Sequence, residues 1–183
     1  MSYRVVVTGH TSEGQSTFLH DRRAPETPGW MFNFWGAQST PADNGRASDD
    51  ASPDLRLSPP PNGSLFRIFH ILPDRQLATK TKAELEQISR EIGIPGAPNP
   101  GERIWHRTDT LDYVVILSGN VTLHLDTGDV HLGPQDVVVQ RGTHHAWSNH
   151  GETVAVAVCI MVGAKPLGIV SPKAGPDRLA LGT

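Results

Sequence analysis

Residues 104–162 read IWHRTDTLDYVVILSGNVTLHLDTGDVHLGPQDVVVQRGTHHAWSNHGETVAVAVCIMV. Short runs rich in Val, Ile and Leu recur here at close intervals, separated by Gly, Asp, Asn and Pro. IWHRT, DYVVILS, VTLHLD, DVHL, DVVVQ, HHAWSN and TVAVAVCIMV each fit one strand, and many short strands with regular turns predict an all-β barrel or sandwich. Thr127–Gly128 joins two of them, with Gly128 able to take a positive φ. Alternation places side chains two apart on one face. His106 and Thr108 then share a face with Ile104. Asp112 shares one with Val114 and Ile116, and His145 shares one with Thr143, Trp147 and Asn149. His144 must point the opposite way. His124 and His131 alternate away from their leucine neighbours and are expected to face solvent, as is His150.

Outward from this stretch the pattern weakens. RVVV (4–7), STFL (16–19), WMFNFW (30–35) and LFRIFHIL (65–72) are bounded by breakers and read as strands. Residues 36–63 are rich in Pro, Asp, Ser and Ala and read as a long loop, either a lid or binding loop or a disordered stretch. Residues 81–92 form the one clear helix: Thr81 and Glu84 make a capping box, Leu85, Ile88 and Ile92 fall on one face, and Gly93 and Pro95 end it. It is expected on the outside of a sheet. The tail beyond Gly163 has no periodicity. The chain therefore divides into N-terminal strands and a loop (1–64), a barrel core (65–163) and a tail (164–183).

The 183 residues suit one domain. With 16 basic and 19 acidic residues, a net charge of -3 and no basic run, nucleic acid is not an expected partner. No apolar stretch approaches the roughly 20 residues that span a bilayer, and the N-terminus turns polar early, so a cytoplasmic protein without a membrane partner is expected. The single cysteine, Cys159, lies inside an apolar run and reads as a core residue. No phosphate-binding loop, dinucleotide fingerprint or nucleophile elbow is present.

Two half-motifs carry chemistry: HRTDTLD at 106–112 and GTHHAWSN at 142–149. Two imidazoles and one carboxylate are a recognised metal-binding set with open positions for substrate. This stretch resembles the cupin superfamily. Gly101, His106, Thr108, Asp112 and Gly119 stand at the places of its first motif, and Gly133, Gln140, Gly142, His145 and Asn149 at those of its second. Thr108 replaces a histidine, Asp112 a glutamate and Gln140 a proline.

The resemblance implies an antiparallel cupin barrel (a double-stranded β-helix, or jelly roll) with an N-terminal strand extension and one outer α-helix. It implies one divalent metal ion (Fe, Mn, Ni, Co or Zn) held by His106, Asp112 and His145. The activity expected is a metal-dependent lyase-type reaction on a small oxygen-rich molecule: decarboxylation, dehydration or isomerisation through an enolate-like intermediate. A non-haem Fe(II) oxygenase and a non-catalytic small-molecule-binding protein are the alternatives. Thr108 and His70 are the candidate catalytic residues, and Trp147, Asn149 and Arg67 the candidate substrate contacts. Arg103 is a further candidate for a substrate carboxylate. Trp30, Trp35 and Trp105 are assigned to core or subunit packing. Edge strands favour a homodimer, with the N-terminal strands paired or exchanged.

Overall fold

A computed structural model describes residues 2–24, 26–27, 30–45, 57–94 and 96–168. Residues 46–56 of the expected loop over 36–63, the helix-stopping Pro95 and the end of the tail lie outside the described residues. No helix among those described is long and apolar enough to cross a membrane.

Among the described residues, eleven strands form three antiparallel sheets. β1 (Arg4–His10) and β2 (Ser16–Arg23) make a hairpin of their own. The larger sheet contains β3 (Glu26–Thr27), β4 (Met31–Ala37), β5 (Ser64–Ile71), β6 (Thr110–Ser118), β9 (Val137–Arg141) and β11 (Ala155–Gly163). Its order is β3-β4-β5-β11-β6-β9. The smaller sheet is β7 (Val121–Leu125), β8 (Gly128–Leu132) and β10 (His145–Ser148), in the order β10-β7-β8. The architecture is the expected all-β barrel. The four N-terminal apolar runs are strands, as their composition predicts.

Period-2 alternation builds the core. Leu65 and Ile71 of β5, Val114 and Ile116 of β6, and Ala155, Ala157, Cys159 and Met161 of β11 point inward and form one buried cluster with Val121. Cys159 is the core residue that its apolar setting predicts, and burial pushes its thiol up to about 12. The outward residues make a different surface. Phe66, Ile160, Tyr113 and Val139 are directly opposite one another across β5, β11, β6 and β9. Each is at least 40% exposed, so an apolar row crosses the outer face.

The helix forms as Lys82–Ile92 (α2), with Thr81 at the N-cap, both halves of the capping box made, and Gly93 left-handed at the C-cap. Two details add to the helix reading. A short helix, α1 (Asp74–Ala78), precedes α2. The apolar face of α2 also does not simply lie outside a sheet: Ile92 packs with Met31 and Ile94, and against Phe69, Ile88 and Ile104. A helix with one apolar stripe is stabilised by whatever apolar surface it covers, and here that surface adjoins the barrel cavity.

Two local expectations also change. IWHRT is not a full strand; only His106 pairs, in a single bridge to His145. Gly128 does not take a positive φ: Asp126 and Thr127 form the turn, and Gly128 opens β8, facing Leu125.

Candidate functional site

One cavity of about 190 Å³ lies inside the barrel. This is below the roughly 300 Å³ at the lower end for ligand pockets, so it suits a small molecule. Most of its wall is apolar: Met31, Phe69, Val114, Trp147, Ile88 and Ile92 are among the lining residues. The polar groups that reach it include His106, Asp112, Gln140, His145 and Arg67. Both half-motifs therefore converge on one cavity, as strand parity predicts. Trp147 lines it as expected, its ring edge-on to Phe69 at 6.0 Å.

The two imidazoles are held in one protonation pattern by the backbone. His145 Nδ1 lies 2.9 Å from the Thr143 carbonyl and His106 Nδ1 lies 3.3 Å from the Ile104 carbonyl. A carbonyl can only accept, so Nδ1 carries the hydrogen in both rings and each Nε2 presents a lone pair. The backbone bridge between His106 and His145 sets the rings 4.2 Å apart between centroids. Burial, then the neighbouring His106, lower the His145 pKa to about 3. Burial also lowers that of His106. Both rings are neutral near pH 7.

Asp112 enters from β6 and is held above the ordinary carboxyl range by burial, opposed by a Thr110 hydrogen bond, the Arg67 charge and a Gln140 hydrogen bond. Gln140, directly across the sheet from Asp112 on β9, donates from its amide nitrogen to His145 Nε2 at 3.0 Å and to Asp112 Oδ2 at 3.4 Å. Arg67 is 2% exposed and donates to the Leu57 carbonyl at 3.3 Å and contacts Met31 Sδ at 3.1 Å. Burial lowers its pKa to about 10, so it stays charged.

The expected metal triad does not assemble in this geometry. His106 and His145 meet, but Asp112 reaches His145 only through the Gln140 amide. Among the described residues, no three His, Cys, Asp or Glu side chains converge as a metal-holding group. An amide N–H₂ donates and has no lone pair for a cation. As folded, the donors do not fit the three-ligand site that the half-motifs predict.

Several other expectations need correction. Thr108 is buried and hydrogen-bonded to Thr110 at 2.7 Å between hydroxyls, and it is not among the cavity-lining residues. Because 106–108 is not a regular strand, alternation does not govern it. His70 is at the cavity rim, but alternation on β5 turns its ring outward to the Tyr3 hydroxyl at 3.0 Å and to Phe32. It is not gathered with His106 and His145. Asn149 is a structural lock rather than a substrate contact. Its amide donates to the Ile71 and Thr153 carbonyls and its oxygen accepts from Gly151 N–H.

His124 does not face solvent. It is 3% exposed and lies between Asp129, at 2.8 Å, and Ser148 Oγ, at 2.9 Å. Arg103 donates to that same Ser148 hydroxyl at 3.0 Å, which places Arg103 in this polar cluster. His144 does point away from His145, pairing with Asp126 and stacking on Trp105 at 4.7 Å. His131 and His150 are exposed as expected.

Gln140 is the functional residue that sequence reasoning passed over. Its signal was parity: in DVVVQ it shares a face with Val138, and the register sets it against Asp112. The contribution of Ile88 and Ile92 had no comparable signal, because the placement of α2 is a tertiary fact.

The neutral His145 has a consequence for stability. Its folded pKa, about 3, lies below the ordinary value of 6.5. Between those values the unfolded chain binds the extra proton, so stability is full above pH 6.5 and is lost as pH falls toward 3. Asp112, shifted upward, works the other way, with its penalty growing as pH rises through the carboxyl range. Urea unfolding should show a loss on the order of 2 kcal/mol between pH 6.5 and 5. His145→Gln should flatten that slope, and an unchanged slope in the variant would place the effect elsewhere.

The family described as "Cupin domain" matches residues 94–161. The phomopsin biosynthesis cluster protein C' of Diaporthe leptostromiformis is 30% identical over 176 residues, covering 89% of this chain and 79% of that protein. The cupin-domain-containing oxidoreductase fogC of Aspergillus ruber is 27% identical over 155 residues, covering 78% of this chain and 62% of that protein. Among solved structures, a cupin-2 domain containing protein from Shewanella frigidimarina is 12% identical with a TM-score of 0.33, covering 53% of this chain and 68% of that one.

Proposed function

This chain belongs to the cupin superfamily, and we propose that it is an enzyme that moves a proton on a small, largely apolar carbonyl compound held in the barrel. The observation that carries the reading is the grouping of two neutral imidazoles with a buried, charged arginine around one apolar cavity. His106 is the general base: it is only half-buried, and its Nδ1 contact leaves Nε2 bare. Arg67 is the electrophile. Charge developing on a carbonyl oxygen is strongly stabilised by a fixed cation in a water-poor site.

In the reaction the C–H bond beside the carbonyl breaks, the proton passes to His106 Nε2, and the electron pair moves onto the oxygen near Arg67. Return of the proton to a different carbon completes an isomerisation; loss of a β-hydroxyl as water instead completes a dehydration. Neither route needs an oxidant. His145, tied to Gln140, packs its ring against that of His106, 4.2 Å between centroids, and so sets its position. The relatives' names point to fungal biosynthesis clusters, and an intermediate of such a biosynthesis is the substrate class we favour. The homodimer expected from the sequence is also retained as a proposal, supported by the apolar row across the outer face.

A panel of small ketones and keto acids in D₂O tests the reading. The enzyme should wash deuterium into the position beside the carbonyl, and His106→Ala should slow this by about 100-fold or more. The oxidoreductase reading, favoured by the name of fogC, predicts oxygen uptake or cofactor reduction without deuterium exchange. That outcome would sink the proton-transfer mechanism.

A further inference from the structure

We infer that the Gln140 side chain stands where a cation would stand in this barrel, tying Asp112 to His145 through its amide, and that the cavity works without a bound metal. The inference concerns the metal alone and does not depend on the proton-transfer reading. Position comes first: Gln140 and Asp112 are register partners on β9 and β6, so their side chains project inward side by side. Both are almost fully buried.

The donor pattern is decisive. The His145 Nε2 lone pair is created by the Nδ1 contact to the Thr143 carbonyl, and the Asp112 Oδ2 atom can accept. A metal ion would need both. Each already receives a hydrogen from the single Gln140 nitrogen, at 3.0 Å and 3.4 Å. The nitrogen end must be the one that faces them, because the amide oxygen would meet two acceptors there. One N–H₂ thus does in neutral form what a cation does for a pair of ligands. The second position of the first half-motif reinforces this: Thr108, which would be the remaining ligand, is engaged with Thr110. Positive charge is still present in the cavity wall, supplied by Arg67.

Two acceptors are left over. Asp112 Oδ1 and Gln140 Oε1 are buried without a hydrogen-bond partner. They are the atoms that a hydrogen-donating group, a water or a ligand hydroxyl, would complete.

The test uses the full chain with manganese, cobalt, nickel, zinc and anaerobic ferrous salts, read by thermal unfolding and by elemental analysis. The native protein should purify with substoichiometric metal and show no metal-dependent change in Tm. Gln140→Glu removes the two hydrogens and adds a carboxylate beside His106 and His145, the ligand set with open positions. It should gain a Tm rise of roughly 5–10 °C when the metal is about 100 times its Kd. Adding His145→Ala to that variant should erase the gain. A native protein that carries one metal per chain, lost on His145→Ala, would overturn the inference whatever the variants do. So would a folded Gln140→Glu variant with no metal-dependent rise.

Discussion

Replacing Gly119 with alanine is expected to destabilise the fold by about 4 kcal/mol and to lower Tm on the order of 10 °C. Gly119 follows β6 at φ 81°, a left-handed conformation that a side chain disfavours. An added Cβ would also lie 2.6 Å from the Ala155 Cβ and 2.8 Å from its Cα. Ala155 is fully buried in the main core cluster at the start of β11. Its backbone is paired into the sheet, so neither side can give way cheaply. Gly128→Ala is the control: nothing lies within 4 Å of its added Cβ, and its effect should stay within about 0.5 kcal/mol. Equal melting temperatures for the two variants would show that the close approach at Ala155 does not limit the fold.

The second large effect concerns the neighbouring histidines. His145→Ala should reduce turnover by about 100-fold or more and should also destabilise by about 1–3 kcal/mol, because the buried Gln140 amide loses its nearer acceptor. The loss should fall mainly on kcat, since the His145 ring, 4.2 Å from that of His106 between centroids, packs the His106 ring in place. His144→Ala removes an exposed pairing with Asp126 and a stack on Trp105. Turnover should be retained, at a stability cost of about 1 kcal/mol. Steady-state kinetics together with unfolding curves separate the two positions. Equal loss of turnover in both variants would mean that the site does not depend on which face of β10 a histidine occupies.

That contrast shows what alternation can do. Adjacent imidazoles differ only in parity, and parity alone assigns His145 inward and His144 outward. The same rule assigns Asp112, Val114 and Ile116 to the interior, and the structure agrees. It fails for Thr108, because residues 104–108 make only a single bridge and the period of two does not apply there. It fails differently for His124. The outer face of the smaller sheet is not all solvent: Arg103, just before the His106 bridge, reaches across to Ser148 and helps bury His124 there. Whether an outward face meets water depends on what crosses it, and no local pattern records that.

The sequence by itself determined the strand series from β6 to β11, the capped helix, the inward placement of His145 and Asp112, and the burial of Cys159. Each rests on a short-range physical rule: alternation along a strand, reciprocal capping, or the cost of exposing an apolar run. Only the tertiary structure decided that α2 lines the cavity, that Arg67 is buried in its wall, that Asn149 locks a turn, and that Gln140 separates Asp112 from His145. These depend on which strands become neighbours and in what register. A shift of one residue between β6 and β9 would set a different residue beside Asp112 and leave the two half-motifs unchanged.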